Sequence, residues 1–173
     1  ARRGATVAHN PVSNLKLASG FARVPDMLGA GVRVTVGTDG AISGNDLDMW
    51  MAIRLAATLH KATTLRADAV STAQALRMVT LAGAEALGAA DRIGSLEVGK
   101  EADMILIDLK RPHAVQLFDA LTHVVYSTAK SDVRHVFVGG RQVVRDGALT
   151  RIAIADVLDE VEELAPRIAA SIA

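Results

Sequence analysis

The blocks of apolar and polar residues along residues 1–90 predict strand, loop, helix, strand, loop, helix, the order that builds a parallel α/β sheet or barrel. Thr6-Val7-Ala8 reads as a buried strand. Pro11-Val12-Ser13-Asn14 reads as a loop, because proline and small polar residues favour turns. A short helix over Val24 to Ala30 ends at Gly31, where a positive φ costs little. Val32-Arg33-Val34-Thr35-Val36 is a second strand rich in β-branched residues, stopped by Gly37. A Gly/Ser/Asn/Asp-rich loop, Thr38 to Asp46, then leads into a helix from about Leu47 to Lys61. Leu47, Trp50, Met51, Leu55 and Leu59 recur at spacings of three and four and are expected on its buried face. A further helix starts at Ser71, whose spacing to Gln74 fits a capping box, and closes near Gly88.

Past Gly94 the period shortens. Met104-Ile105-Leu106-Ile107 is a short strand, and Val133 to Val138, Gly139-Gly140, Arg141 to Val144 reads as a hairpin, since paired glycines supply the positive φ of a two-residue turn. A helical stretch around Leu117 to Val125 interrupts this antiparallel β module. A final amphipathic helix runs from about Ala155 to the end of the chain, with Asp156, Asp159, Glu160, Glu162 and Glu163 in its first half. The change of texture places one boundary near residue 90 and a second near 150, giving segments 1–90, 91–150 and 151–173.

Composition narrows the classes of function. Half of the 173 residues are hydrophobic and 22% are charged, so a substantial core can form. Lys plus Arg and Asp plus Glu both total 19, which leaves no global field to draw nucleic acid or an anionic membrane. With 3% aromatic residues there is no stacking surface for single-stranded nucleic acid either. The absence of cysteine excludes a disulfide framework and a thiolate metal cluster, and makes the cytoplasm the default expectation. No apolar run approaches the ~18 residues of a membrane span, and the first residues do not read as a signal peptide. The first residue is not Met, and the first strand has no earlier element to pack on, so the chain is expected to be part of a longer polypeptide.

Asp39 lies between a strand and a helix, which puts its carboxylate at the carboxyl end of a parallel strand, where α/β folds keep their active sites. A buried carboxylate there can bind a divalent metal and accept a proton from water beside it. Thr38-Asp39-Gly40 is equally readable as a simple turn. His9 follows the first strand and belongs on the same rim, as a site residue or as a hydrogen-bonded structural histidine. His60, at a helix C-terminus, favours an imidazolium. His113, His123 and His135 read as surface or core residues, and Lys16 and Arg54 as solvated charges. The histidines show neither His-x-His nor i, i+4 spacing, so the chain does not assemble a zinc site by itself. Gly37-Thr38-Asp39-Gly40 lacks the spacing and Lys of a phosphate-cradling loop, and no serine sits in G-x-S-x-G.

Three segments, in order, carry a family resemblance. His9-Asn10-Pro11-Val12-Ser13-Asn14-Leu15-Lys16-Leu17-Ala18-Ser19-Gly20 resembles the segment after barrel strand seven of the amidohydrolase superfamily, closest to the 5-methylthioadenosine/S-adenosylhomocysteine deaminases and the triazine hydrolases. Val36-Gly37-Thr38-Asp39-Gly40, with Ser43 and Asn45-Asp46-Leu47-Asp48-Met49, is similar to the strand-eight motif and its loop. Gly94-Ser95-Leu96-Glu97-Val98-Gly99-Lys100-Glu101-Ala102-Asp103 resembles the return from barrel to β-sandwich. The resemblance implies the C-terminal end of a metal-dependent TIM (β/α)8 barrel, its last two strand-helix units, over 1–90, part of a β-sandwich over 91–150, and a C-terminal helix over 151–173. Asp39 would be metal ligand and proton shuttle, while Ser43 and His9 would stand near the substrate. One divalent metal ion, zinc by expectation, would be completed by ligands outside this chain. The loop departs from the common Ala-Ser-Asn-Asn in reading Ile42-Ser43-Gly44-Asn45. The family's His-x-His, its later metal histidine, its catalytic Glu and its strand-six histidine have no counterpart here.

The resemblance implies hydrolytic deamination of an aminated purine nucleoside such as methylthioadenosine or S-adenosylhomocysteine, with the chain alone expected to be inactive. The alternatives are another amidohydrolase, of guanine deaminase or chlorotriazine hydrolase type, or a non-catalytic scaffold. The expected partner is a small heterocyclic substrate, with no nucleic acid, no membrane, and a homo-oligomer left open.

Overall fold

A computed structural model describes residues 2–171. β1 (Thr6–His9) and β2 (Arg33–Val36) pair in parallel, with Val7 opposite Val34 and His9 opposite Val36. Because the register is level, the segments after both strands leave at one edge, and the Gly37 amide donates to the His9 carbonyl at 3.0 Å. A Cβ at Gly37 would lie 2.5 Å from Asn10 Oδ1, so any larger residue there would require the Asn10 side chain to move.

The chain after β1 was expected as a loop but turns directly into α1 (Pro11–Lys16). Proline at the helix start explains this, since its fixed φ suits the first turn and its missing N–H is not needed there. α2 (Val24–Gly29) returns to β2, with Gly31 at φ +70° just beyond it. The loop after β2 contains a single helical turn, α3 (Ala41–Gly44), not anticipated from its composition.

α4 (Met49–Thr64) starts where the Asp48 carboxylate accepts hydrogen bonds from the Trp50 and Met51 amides, at 2.8 and 3.2 Å. Its fully buried face is Ala52, Ile53, Ala56, Ala57 and His60; of the apolar residues expected there, Trp50, Leu55 and Leu59 are half-buried, and Trp50 packs against the core. Leu47 lies outside the helix at 64% exposure and Met51 is 46% exposed. Alanines let the helix axis approach the sheet closely, so Ile53 and the alanines pack with Val34, Val36 and Val24 in the main core.

Ser71 and Gln74 form the reciprocal capping box read from their spacing, opening α5 (Thr72–Val79). The single helix expected to Gly88 is broken at Thr80, whose φ −122° and ψ −101° separate α5 from α6 (Leu81–Ala86).

β3 (Met104–Ile107), β4 (Val133–Val138), β5 (Arg141–Arg145) and β6 (Ala148–Leu149) form one antiparallel sheet in sequence order. Gly139 and Gly140 turn the β4–β5 hairpin with φ +56° and +74°, as their pairing predicted. Between β3 and β4, α7 (Ala120–Tyr126) begins at Asp119, which caps the Thr122 amide at 2.6 Å. Val125 of α7 is fully buried in the core shared with α4 and α5. Arg54, expected in solvent, instead donates from α4 to the Thr128 carbonyl at 2.7 Å. α8 (Ile154–Ser171) is exposed along its whole length, and Ile172 and Ala173 lie outside the described residues. Among the described residues no helix is long and apolar enough to cross a membrane.

Candidate functional site

The shared edge of β1 and β2 gathers the polar groups singled out from the sequence. Asp39 follows β2 with φ +62°, a left-handed conformation that Asp tolerates better than most residues. Its Oδ1 accepts the Gly40 amide at 2.7 Å. The Ser13 hydroxyl, then the Gly40 amide, with a contribution from the Ser43 hydroxyl, hold the carboxylate below the usual range against the opposing effect of burial. Asp39 is exposed, so it is ionised at neutral pH as an ordinary carboxylate is, and these donors favour that form further.

Ser13 was missed as a site residue because its segment read as a loop. At 4% exposure it lies on the buried side of α1. Pro11 was the available signal, because proline is favoured at the first position of a helix and marks the segment as helix rather than loop. Ser43 lies in α3, whose Ser43 and Gly44 amides close onto the Gly40 carbonyl at 3.1 and 3.2 Å. The fold therefore brings Asp39, Ser13 and Ser43 together.

His9 contributes its carbonyl to the rim, while its ring goes inward. The ring is 2% exposed and packs against His60, with centroids 5.4 Å apart and planes at 44°. Neither His9 nitrogen has a partner among the described residues, and His60 Nε2 is likewise unpaired. Burial, reinforced by His60, pushes His9 down to about 4. Burial also lowers His60, which is 1% exposed, so the imidazolium expected at that helix end does not form at neutral pH.

The remaining histidines sit elsewhere. His113 Nε2 meets the Asp132 carboxylate at 2.8 Å, beside the parallel ring of His123. His135 Nδ1 accepts from the Asp146 amide at 3.2 Å. Among the described residues no group of three or more His, Cys, Asp or Glu is placed to hold a metal ion. Asp39 fits a hard divalent cation as one oxygen donor: it is anionic, exposed and held from behind by hydroxyl and amide donors.

Comparison with known proteins places this arrangement among relatives. The model of the amidohydrolase family matches residues 1–143. A 5-methylthioadenosine/S-adenosylhomocysteine deaminase of Syntrophobacter fumaroxidans is 45% identical over 163 residues, covering 94% of this chain and 37% of that protein. A zinc-bound adenosine deaminase of Xanthomonas campestris superimposes with a TM-score of 0.95 at 40% identity, over 98% of this chain and 38% of its own. The zinc complex of atrazine chlorohydrolase from Arthrobacter aurescens gives 0.86 at 27% identity, over 93% of this chain and 36% of its own. The chain thus spans well under half the length of the proteins it matches.

Proposed function

This chain belongs to the amidohydrolase family, and on that premise we propose that it serves a zinc-dependent hydrolytic deaminase of adenosine-type nucleosides such as 5-methylthioadenosine or S-adenosylhomocysteine. The observation that carries the reading is the ionised Asp39 at the end of a parallel strand, ringed by Ser13, Gly40 and Ser43. It is supported by the 45% identity to a deaminase of those two nucleosides. The chlorotriazine alternative draws less support, at 27% identity against 40% for the adenosine deaminase structure.

In this reading residues 1–90 are the last two strand-helix units of a (β/α)8 barrel, 91–150 belong to a β-sandwich, and 151–173 form a C-terminal helix. Asp39 is one zinc ligand, and the others come from polypeptide beyond these residues. Zinc, when bound, supplies Lewis acidity that makes water a usable nucleophile at neutral pH. Asp39 takes the proton of the attacking water and hands it to the departing amino group, which leaves as ammonia while the purine carbon gains oxygen. The Gly40 amide, which donates to the carboxylate, and the Ser13 hydroxyl near it suit this task, because they favour the unprotonated form before the reaction. Ser43 contacts the heterocycle from its loop. His9 closes the strand end with its neutral ring packed inward on His60, so it backs the rim and does not touch the substrate.

Ammonia release from methylthioadenosine, S-adenosylhomocysteine and guanine, with chloride release from atrazine, tests the proposal on the zinc-loaded full-length protein that supplies the remaining ligands. Turnover of an adenosine thioether well above guanine and atrazine is expected. No turnover of either thioether sinks it.

A further inference from the structure

The loop that carries Ser43 is tied at both ends to lysines from distant parts of the chain. Lys16, the last residue of α1, donates its ammonium to the Ile42 carbonyl at 2.9 Å. Lys130 donates to the Asp46 carboxylate at 2.8 Å and stands 3.9 Å from Asp48. The partners are 26 and 84 residues apart, so local chain geometry creates neither contact.

Each anchor is itself held. Asp48 caps α4, so Lys130 grips the point where loop becomes helix. Lys130 opens a 3-10 turn, Lys130–Asp132, whose buried Asp132 accepts the Ala129 amide at 2.8 Å. Lys16 terminates the helix whose Ser13 lies beneath Asp39. Between the anchors, the Asn45 amide closes α3 onto the Ala41 carbonyl at 2.8 Å, and Asn45 leaves it at φ +59°. A single helical turn fixes many dihedrals for few hydrogen bonds and does not persist unaided. The two lysines supply what it lacks.

We propose that Lys16 and Lys130 are positioning residues that jointly hold the Ile42–Asp46 segment, and with it the Ser43 hydroxyl, in place beside Asp39 for substrate selection. This rests on the reading of Ser43 as a substrate contact. The two anchors differ in kind. Lys16 meets a neutral carbonyl, whereas Lys130 meets carboxylates, so salt weakens the second more than the first.

Amide hydrogen exchange of the metal-free, substrate-free protein reads the clamp directly, and steady-state kinetics of the zinc-loaded full-length protein reads its consequence. Lys16→Met and Lys130→Met are each expected to speed exchange at Ser43, Gly44 and Asn45 by about two- to fivefold, the range that exposed ion pairs allow. The double variant is expected to show at least the product. Amides of Ala52 to Ala57 in α4 stay at wild-type rates, and KM rises with kcat unchanged. Lys130→Arg, which keeps a charged donor, retains most of the wild-type protection and KM. Unchanged exchange at Ser43 to Asn45 in the double variant overturns the proposal. So does an equal acceleration through Ala52 to Ala57, or faster loop exchange with an unaltered KM. A wild-type protein without thioether turnover would defeat the deaminase reading, while the exchange measurement still decides the clamp.

Discussion

Asp39 and Asp132 both accept a backbone amide, at 2.7 Å from Gly40 and at 2.8 Å from Ala129, yet their surroundings are opposite. Asp39 is exposed at the end of a parallel strand, with hydroxyls behind it. Asp132 is 2% exposed, and a single oxygen, Oδ2, meets both the Ala129 amide and His113 Nε2 at 2.8 Å. A buried carboxylate whose partners all belong to the fold is a structural staple, because anything new would have to displace them. An exposed carboxylate, ionised and aimed by donors on its far side, is available for chemistry.

That contrast can be broken most sharply by paired substitutions. Asp39→Asn is expected to cut turnover by roughly a thousandfold or more, about 4 kcal/mol of barrier, with little change in melting temperature, because the amide keeps the shape and loses the charge and the proton-accepting role. Near-normal turnover would make Asp39 a turn residue only. Asp132→Ala should do the reverse: a loss of about 2–4 kcal/mol in denaturant unfolding, as the Ala129 amide and His113 lose their partner, with kcat per folded molecule retained. A stability change below about 0.5 kcal/mol would show that the staple carries no weight.

Acid sharpens the comparison from a different side. His9 has a folded-state value of about 4, below the 6.5 of an unfolded chain, so the native state favours the neutral ring. Its contribution is therefore fully present above pH 6.5 and is lost as pH falls toward 4, by on the order of 2–3 kcal/mol. Exchange protection should consequently fail in β1 and β2 before it fails in β3 to β5, and a uniform loss across both sheets would contradict this. His113→Gln is the smallest expected change, no more than about 1 kcal/mol, because that imidazole is half-exposed and the Ala129 amide still meets Asp132. A larger loss would mean that His113, not the amide, holds the staple.

Local rules were readable where one short stretch contains the whole interaction. The Ser71–Gln74 box, the Gly139-Gly140 turn and the β-branched strand before Asp39 are of this kind. The face of α4 is read only in part, Trp50 packing on the core while the fully buried positions are mostly alanines, because alanine gives a weak hydrophobic signal. The His60 imidazolium was inferred from the helix-end dipole, and desolvation outweighed it once the ring proved 1% exposed. Lys16 and Arg54 looked solvated because their carbonyl partners, Ile42 and Thr128, leave no charge pattern in the sequence.

By itself, then, the sequence determined that Asp39 stands between a strand and a helix, with Ser43 four residues on and His9 at the end of the preceding strand. Those are statements about neighbours along the chain. Only the tertiary structure decided that Ser13 lies beneath the Asp39 carboxylate, that the His9 ring turns inward to His60, and that Lys16 and Lys130 meet the Ser43 loop. The physical reason is that parallel pairing of β1 with β2 joins residues about 27 positions apart at one edge, and α7 folds the later turn back onto α4. Contacts of that reach depend on packing and register, which no local pattern encodes.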